Sequence, residues 1–164
     1  MEQKYIYSFS QIEDKVKALH ETNTEAAAAV ALSWLGLSRD ELKTLRVSDY
    51  NSTMRMLHSA GRVVYVREDL IADMLKAICE EAPEYSMGFF ITDVNSAYEA
   101  AEKQELSPIS VLKMRYFYEK HSAKLSGEPE DRVFLKEILR SVGESEADME
   151  KQFAEYENDA PEKI

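Results

Sequence analysis

The chain has 164 residues, 45% of them hydrophobic, with a formal charge of −11 and a pI near 4.8. That length can bury a core without metal or disulfide help. Acids outnumber bases 31 to 20, which disfavours long-range attraction to nucleic acid because each phosphate contact needs a Lys or Arg. The single cysteine, Cys79, excludes an internal disulfide, and no apolar run approaches the roughly 18 residues of a membrane span. The N-terminal MEQKYIYSFS lacks the apolar segment of a secretory signal, so the expected location is the cytoplasm.

Between Ser8 and His20 the residues Ile12, Val16 and Leu19 recur at helical spacing, and Ser10 with Glu13 has the spacing of a capping box. A second helix is expected to begin between Thr22 and Glu25, with Ala27, Val30, Ala31 and Trp34 on one inner stripe. Gly36-Leu37 makes a corner, and Ser38 with Glu41 has capping-box spacing for a short third helix carrying Leu42 and Leu45. The pattern then changes: TMRMLHSAGRVVYV, from Thr53 to Val66, predicts a β-hairpin turning around Ser59-Ala60-Gly61.

Leu70, Ile71, Met74, Leu75 and Ile78 predict an amphipathic helix, closed by Pro83. After the apolar stretch Met87 to Ile91, a helix is expected from Thr92, with Val94, Tyr98 and Ala101 inward. Ser107-Pro108 is a start signal, serine capping and proline at the first position, for a helix carrying Ile109, Leu112, Tyr116 and Lys120. LSGEPE reads as a loop before a helix with Leu135, Ile138, Leu139 and Val142 that stops at Gly143. Ser145 caps a last helix with Met149, Phe153 and Tyr156 inward. The expectation is one mainly α unit with a small antiparallel β-hairpin or sheet over residues 1–157, and a loose tail over 158–164.

The stretch AAAAVALSWLGLSRDELKTLRVSDY, Ala26 to Tyr50, resembles a segment of the tyrosine recombinases, or phage integrases: an Ala-rich helix, Thr-Gly-Leu-Arg-x-Ser-Glu-Leu, then Leu-Arg-x-x-Asp. Gly36, Leu37, Glu41, Leu42, Leu45, Arg46 and Asp49 match in order. Val64, Val66 and Leu70 are similar to the family's Val-x-Leu-Pro-x-x-Leu segment, without its proline. The resemblance implies the fold of the recombinase catalytic domain, beginning directly at that domain and without the core-binding and arm-binding domains.

Family enzymes attack phosphorus with a tyrosine oxygen and need cations around the phosphate and an acid for the leaving oxygen. At the positions the resemblance assigns to this chemistry, the chain departs from the pattern. Ser38 stands for the first arginine. The hairpin lysine has no counterpart between Lys43 and Lys76, where His58 and Arg62 are the polar residues near the turn. In SPISVLKMRYF the second arginine falls on Lys113, or on Arg115 if the register slips, and Met114 takes the following histidine's place. Val142-Gly143-Glu144 is similar to Leu-Gly-His with a carboxylate for the histidine, and the nucleophile position nine residues on is Phe153. Using Tyr156 instead would put Ala147 in the histidine position. A serine for an arginine and an added acid would repel a phosphate, so the expectation is no enzyme and no catalytic residue.

His20, His58 and His121 stand singly, without ligand spacing to one another or to Cys79, and the five glycines are isolated. No metal, cofactor or small-molecule ligand is expected. The leading reading is an inactive integrase-like domain of mobile-element origin that acts by protein binding, with self-association through residues after Met149 as one mode. A second is a DNA-binding accessory factor: the region Ser38 to Lys76 has 7 bases and 6 acids, and Arg39, Lys43, Arg46, Arg55, Arg62 and Arg67, joined by Lys113 and Arg115, would form a local basic face. A third is an acidic DNA mimic, since Glu128 to the end holds 12 acids and 5 bases, although a solvated acidic face explains the same charge. An enzyme of unrelated chemistry finds no residue constellation.

Overall fold

A computed structural model describes residues 5–81 and 88–160. A 3-10 turn, Phe9–Gln11, leads into α1 (Glu13–Thr22), α2 (Thr24–Trp34) and α3 (Arg39–Thr44). A second 3-10 turn, Val47–Asp49, precedes β1 (Tyr50–Asn51), β2 (Met56–Ser59) and β3 (Arg62–Tyr65), and the rest is helical: α4 (Asp69–Glu81), α5 (Val94–Lys103), α6 (Pro108–Ser126), α7 (Arg132–Val142) and α8 (Glu146–Asp159). The fold is therefore mainly α with one small antiparallel sheet, in the order β1-β2-β3.

The central element is α2. Every residue from Ala26 to Leu35 is buried, not only the stripe of Ala27, Val30, Ala31 and Trp34. The reason is its alanines: a thin helix lets α1, α5, α6 and α4 approach from several sides, and a helix apolar all round belongs in the interior. Asn23 caps it, its Oδ1 accepting Ala26 N at 3.0 Å, so a single residue separates it from α1.

Other local signals resolve differently from their expectation. Ser10 does not cap α1: its Oγ bonds Ser8 Oγ at 2.7 Å, Gln11 Oε1 accepts Ser8 N at 3.1 Å, and Ile12 holds the cap position. Thr92 is not the start of α5. It is held by Glu25 of α2, at 2.8 Å from its N–H and 2.7 Å from its hydroxyl, while Asp93 caps the helix by accepting Ser96 N at 3.1 Å. Leu125 and Ser126 belong to α6, whose end is Gly127 at φ +75°. A third strand, β1, extends the hairpin, and the two-residue turn Ala60-Gly61 has φ of +51° and +77°. Pro83 and Met87 lie outside the described residues.

Ser107 and Pro108 start α6, Gly143 ends α7, and Ser145 caps α8, as expected. The apolar side chains form two clusters. One surrounds α2; the other joins Tyr5 and Tyr7 to α6, α7 and α8 through Phe117, Ile138, Met149, Phe153 and Tyr156. α8 runs through Asp159 and so takes in the first two residues of the expected loose tail, and 161–164 lie outside the described residues. Among the described residues no helix is long and apolar enough to cross a membrane.

Candidate functional site

The corner after α2 organises the surface that the sequence singles out. Leu37 N bonds back to Leu32 O at 3.1 Å, and Gly36 has φ +96°, a left-handed conformation that favours glycine. A Cβ on Gly36 would also lie 2.5 Å from Phe134 Cε2 of α7. Ser38 then caps α3: its Oγ accepts Glu41 N at 3.1 Å, and Glu41 Oε1 accepts Ser38 N at 3.1 Å. The hydroxyl in the first arginine's place is thus engaged in a capping box.

Glu41 does more than cap. It accepts Arg62 Nη2 at 2.7 and 3.0 Å and the Ser59 hydroxyl at 2.7 Å, which ties the β2-β3 turn to the corner. Burial pushes its carboxyl up, but the bonds from Arg62, Ser59 and Ser38 outweigh that and hold it below its ordinary value. Arg62 Nη2 also donates to Gly36 O at 3.0 Å. Arg115, reaching from α6, donates to Trp34 O, pairs with Glu119 at 2.7 Å and lies 5.2 Å from the Phe134 ring and 5.3 Å from the Trp34 ring. Two arginines therefore close the C-terminal carbonyl end of α2, where a cation complements the helix dipole.

Above this corner runs a groove of about 250 Å³. It is lined by all of β3, by Val133 and Phe134 of α7, by Arg115 and Glu119 of α6, and by Leu35, Arg67 and Asp131. The structure brings Arg62, Arg67 and Arg115 together here. Arg67 is exposed and, among the described residues, has no hydrogen bond or ion pair.

The other expected basic residues lie elsewhere. Arg39 bonds Asn95 and lies over the Tyr98 ring at 4.8 Å, Lys43 lies 3.9 Å from Asp40, and Arg46 lies over Phe89 at 5.2 Å. Arg55 pairs with Asp69 at 2.9 Å. Of the eight, Arg62, Arg67 and Arg115 line the groove, and most of the eight are held by a neighbouring carboxylate or ring.

The two readings of the second arginine separate in space. Arg115 reaches the corner; Lys113 turns to Glu144, at 3.1 Å, and Glu144 also accepts Gln152 Nε2 at 2.8 Å. The bonds from Gln152 and Lys113 hold the Glu144 carboxyl below its ordinary value. Met114 is half-buried against the second cluster. Phe153 is 7% exposed, 6.2 Å from the rings of Phe117 and Tyr156. Tyr156 is fully buried, donates to Ile6 O at 3.3 Å, and its phenol is pushed far up by burial.

Of the histidines, His121 is buried with Nδ1 3.7 Å from Glu157, whereas His58 lies exposed on β2. No group of three or more potential metal ligands occurs among the described residues. Cys79 is half-buried, donating to Val47 O at 3.5 Å, its thiol pushed up by burial. Sequence reasoning missed the partners of the groove arginines. Arg115 and Glu119 were legible as an i, i+4 pair; the pairing of Arg62 with Glu41 across 21 residues was not.

No protein-family model matches the sequence, and no curated protein matches it significantly. Among solved structures, the crystal structure of XerA recombinase, a tyrosine recombinase, aligns with a TM-score of 0.52 at 13% identity. The alignment covers 95% of this chain and 66% of that one. At this identity the likeness is one of fold: over nearly its whole described length the chain is folded like a tyrosine recombinase.

Proposed function

We propose that the protein is a catalytically inactive integrase-like domain, a cytoplasmic regulator or remnant derived from a mobile element, that works by binding another protein. The observation that carries this reading is the chemistry of the corner. Ser38 spends its hydroxyl on a helix cap, and Arg62 and Arg115 are engaged by the carbonyls of Gly36 and Trp34 and neutralised by Glu41 and Glu119. Stabilising a pentacoordinate phosphate needs cations aimed at the developing charge, and these are aimed at the protein. Phe153, in the tyrosine's place, is a core side chain without an oxygen. The test is incubation with nicked suicide DNA substrates followed by intact-mass analysis. The expected result is unmodified protein; a tyrosine-linked DNA adduct would sink the reading.

Self-association through the apolar face of α8 requires that helix to leave its own chain. Met149, Phe153 and Tyr156 are buried against α6, α7 and the segment at Tyr5 and Tyr7, and Glu150 and Glu157 pair with Lys120 and Lys124. A folded monomer is the expected species, and light scattering that shows a concentration-dependent mass would contradict it. The same pairs engage acids that a DNA mimic would present. A DNA-binding accessory role draws on one specific observation, the meeting of Arg62, Arg67 and Arg115 in one groove. Fluorescence anisotropy at low salt tests it, with absence of binding or of a salt slope eliminating it.

A further inference from the structure

β3 is an edge strand, since the sheet order is β1-β2-β3. The register pairs Ser59 with Arg62, His58 with Val63, Leu57 with Val64 and Met56 with Tyr65. A two-residue hairpin loop makes the pair flanking it, Ser59 and Arg62, a hydrogen-bonded one. Alternation then makes Leu57-Val64 the next such pair, and Val66 N donating to Arg55 O at 3.0 Å continues the series. The N–H and C=O groups of Val63 and Tyr65 therefore point away from β2, into the groove.

The side chains along this edge are also unsatisfied. Tyr65 is 61% exposed, Val63 43%, and Val133 across the groove 73%. Proteins ordinarily blunt an open edge with charge, proline or a covering element. Here Arg67 follows the strand with no acid partner among the described residues, in a chain of charge −11. Glu119 and Asp131, which also line the groove, disfavour a polyanion and admit a ligand with one carboxylate placed near Arg67.

We infer that this groove takes an extended peptide of a partner protein, added as a fourth strand along β3. Its backbone bonds Val63 and Tyr65, its apolar side chains cover Tyr65, Val133 and Phe134, and one acidic side chain or C-terminal carboxylate meets Arg67. This occupant deepens, and rests on, the protein-binding reading above.

The experiment is selection of phage-displayed random heptapeptides on the immobilised full chain, followed by anisotropy with labelled synthetic copies of the enriched sequences. Enrichment of alternating apolar peptides with a single acid is expected. Val63→Pro removes an outward N–H that the β2-β3 ladder does not use, so binding should weaken about tenfold, the scale of one lost hydrogen bond. Arg67→Gln should weaken acidic peptides and leave their neutral counterparts unchanged. If Val63→Pro fails to fold, Tyr65→Asp and Val133→Asp, both on exposed side chains, should produce the same loss. Peptides that bind wild type and these variants alike would overturn this site while leaving protein binding intact. No enriched peptide, or a DNA oligonucleotide bound in an Arg67-dependent way without any peptide, would overturn it as well. Failure of the inactive-domain reading on which it rests would show separately, as the tyrosine-linked DNA adduct.

Discussion

Glu41→Gln is the sharpest test of how the corner is built. The substitution keeps the side-chain shape and one carbonyl acceptor but removes the charge facing Arg62. In the native pair the side chains are 11% and 20% exposed, with Nη2 at 2.7 Å. Removing one partner of a fully buried pair costs about 3–5 kcal/mol. Partial access of water and the retained amide lower this to about 2–3 kcal/mol. For a domain of this size that corresponds to a fall in Tm of roughly 5–10 °C, measurable by circular dichroism at about pH 7. The pH dependence gives an internal control. Because the folded carboxyl of Glu41 is held below its ordinary 4.5, its contribution is fully present above that value and is lost as the pH falls through the lower folded one. The stability gap between wild type and variant should therefore narrow on acidification to about pH 3. A loss under about 0.5 kcal/mol at neutral pH, or a gap unchanged at the acidic end, would refute the reasoning.

Gly36→Ala should destabilise by about 2–4 kcal/mol in urea unfolding, combining a left-handed backbone with a clash against Phe134. Adding Phe134→Leu should recover the steric part only, and full recovery would contradict a backbone contribution. Ser38→Ala removes the acceptor of Glu41 N and should cost about 1 kcal/mol in the same assay. Tyr156→Phe loses one long hydrogen bond to Ile6 O and should cost about 1 kcal/mol or less. Tyr156→Ala should cost about 3–5 kcal/mol and raise hydrogen exchange in α8 and around Tyr7, whose hydroxyl donates to Tyr156 O at 3.1 Å. Phe153→Tyr should melt slightly lower and form no adduct with suicide DNA, since the position faces Phe117 and Tyr156 in the core.

Helix signals that act within one turn were legible. Ser38 with Glu41, Ser107 with Pro108, Gly143 and Ser145 each do what their spacing implies, because caps are local hydrogen bonds between neighbours in sequence. Ser10 with Glu13 had the same spacing and failed. Its neighbours Ser8 and Gln11 form a competing turn two residues earlier, and spacing alone does not rank two overlapping turns. The partners of the basic residues show the same limit, since the acids and rings that hold Arg39, Arg55, Arg62 and Lys113 come from elsewhere in the chain.

By itself the sequence determined the element types, the position of the corner, the chemistry absent from Ser38 and Phe153, and the inward faces of α7 and α8; on α6 it placed Leu112 and Tyr116 inward but missed Val111 and Phe117. Periodicity and residue type carry these because they depend on helix geometry and on which atoms a side chain owns. The tertiary structure alone decided that α2 is buried on all sides, that Arg115 and not Lys113 reaches the corner, and that β3 leaves an open edge beside Arg67. Each of these depends on which distant element fills the space next to a residue, and that is fixed by packing between segments far apart in the chain.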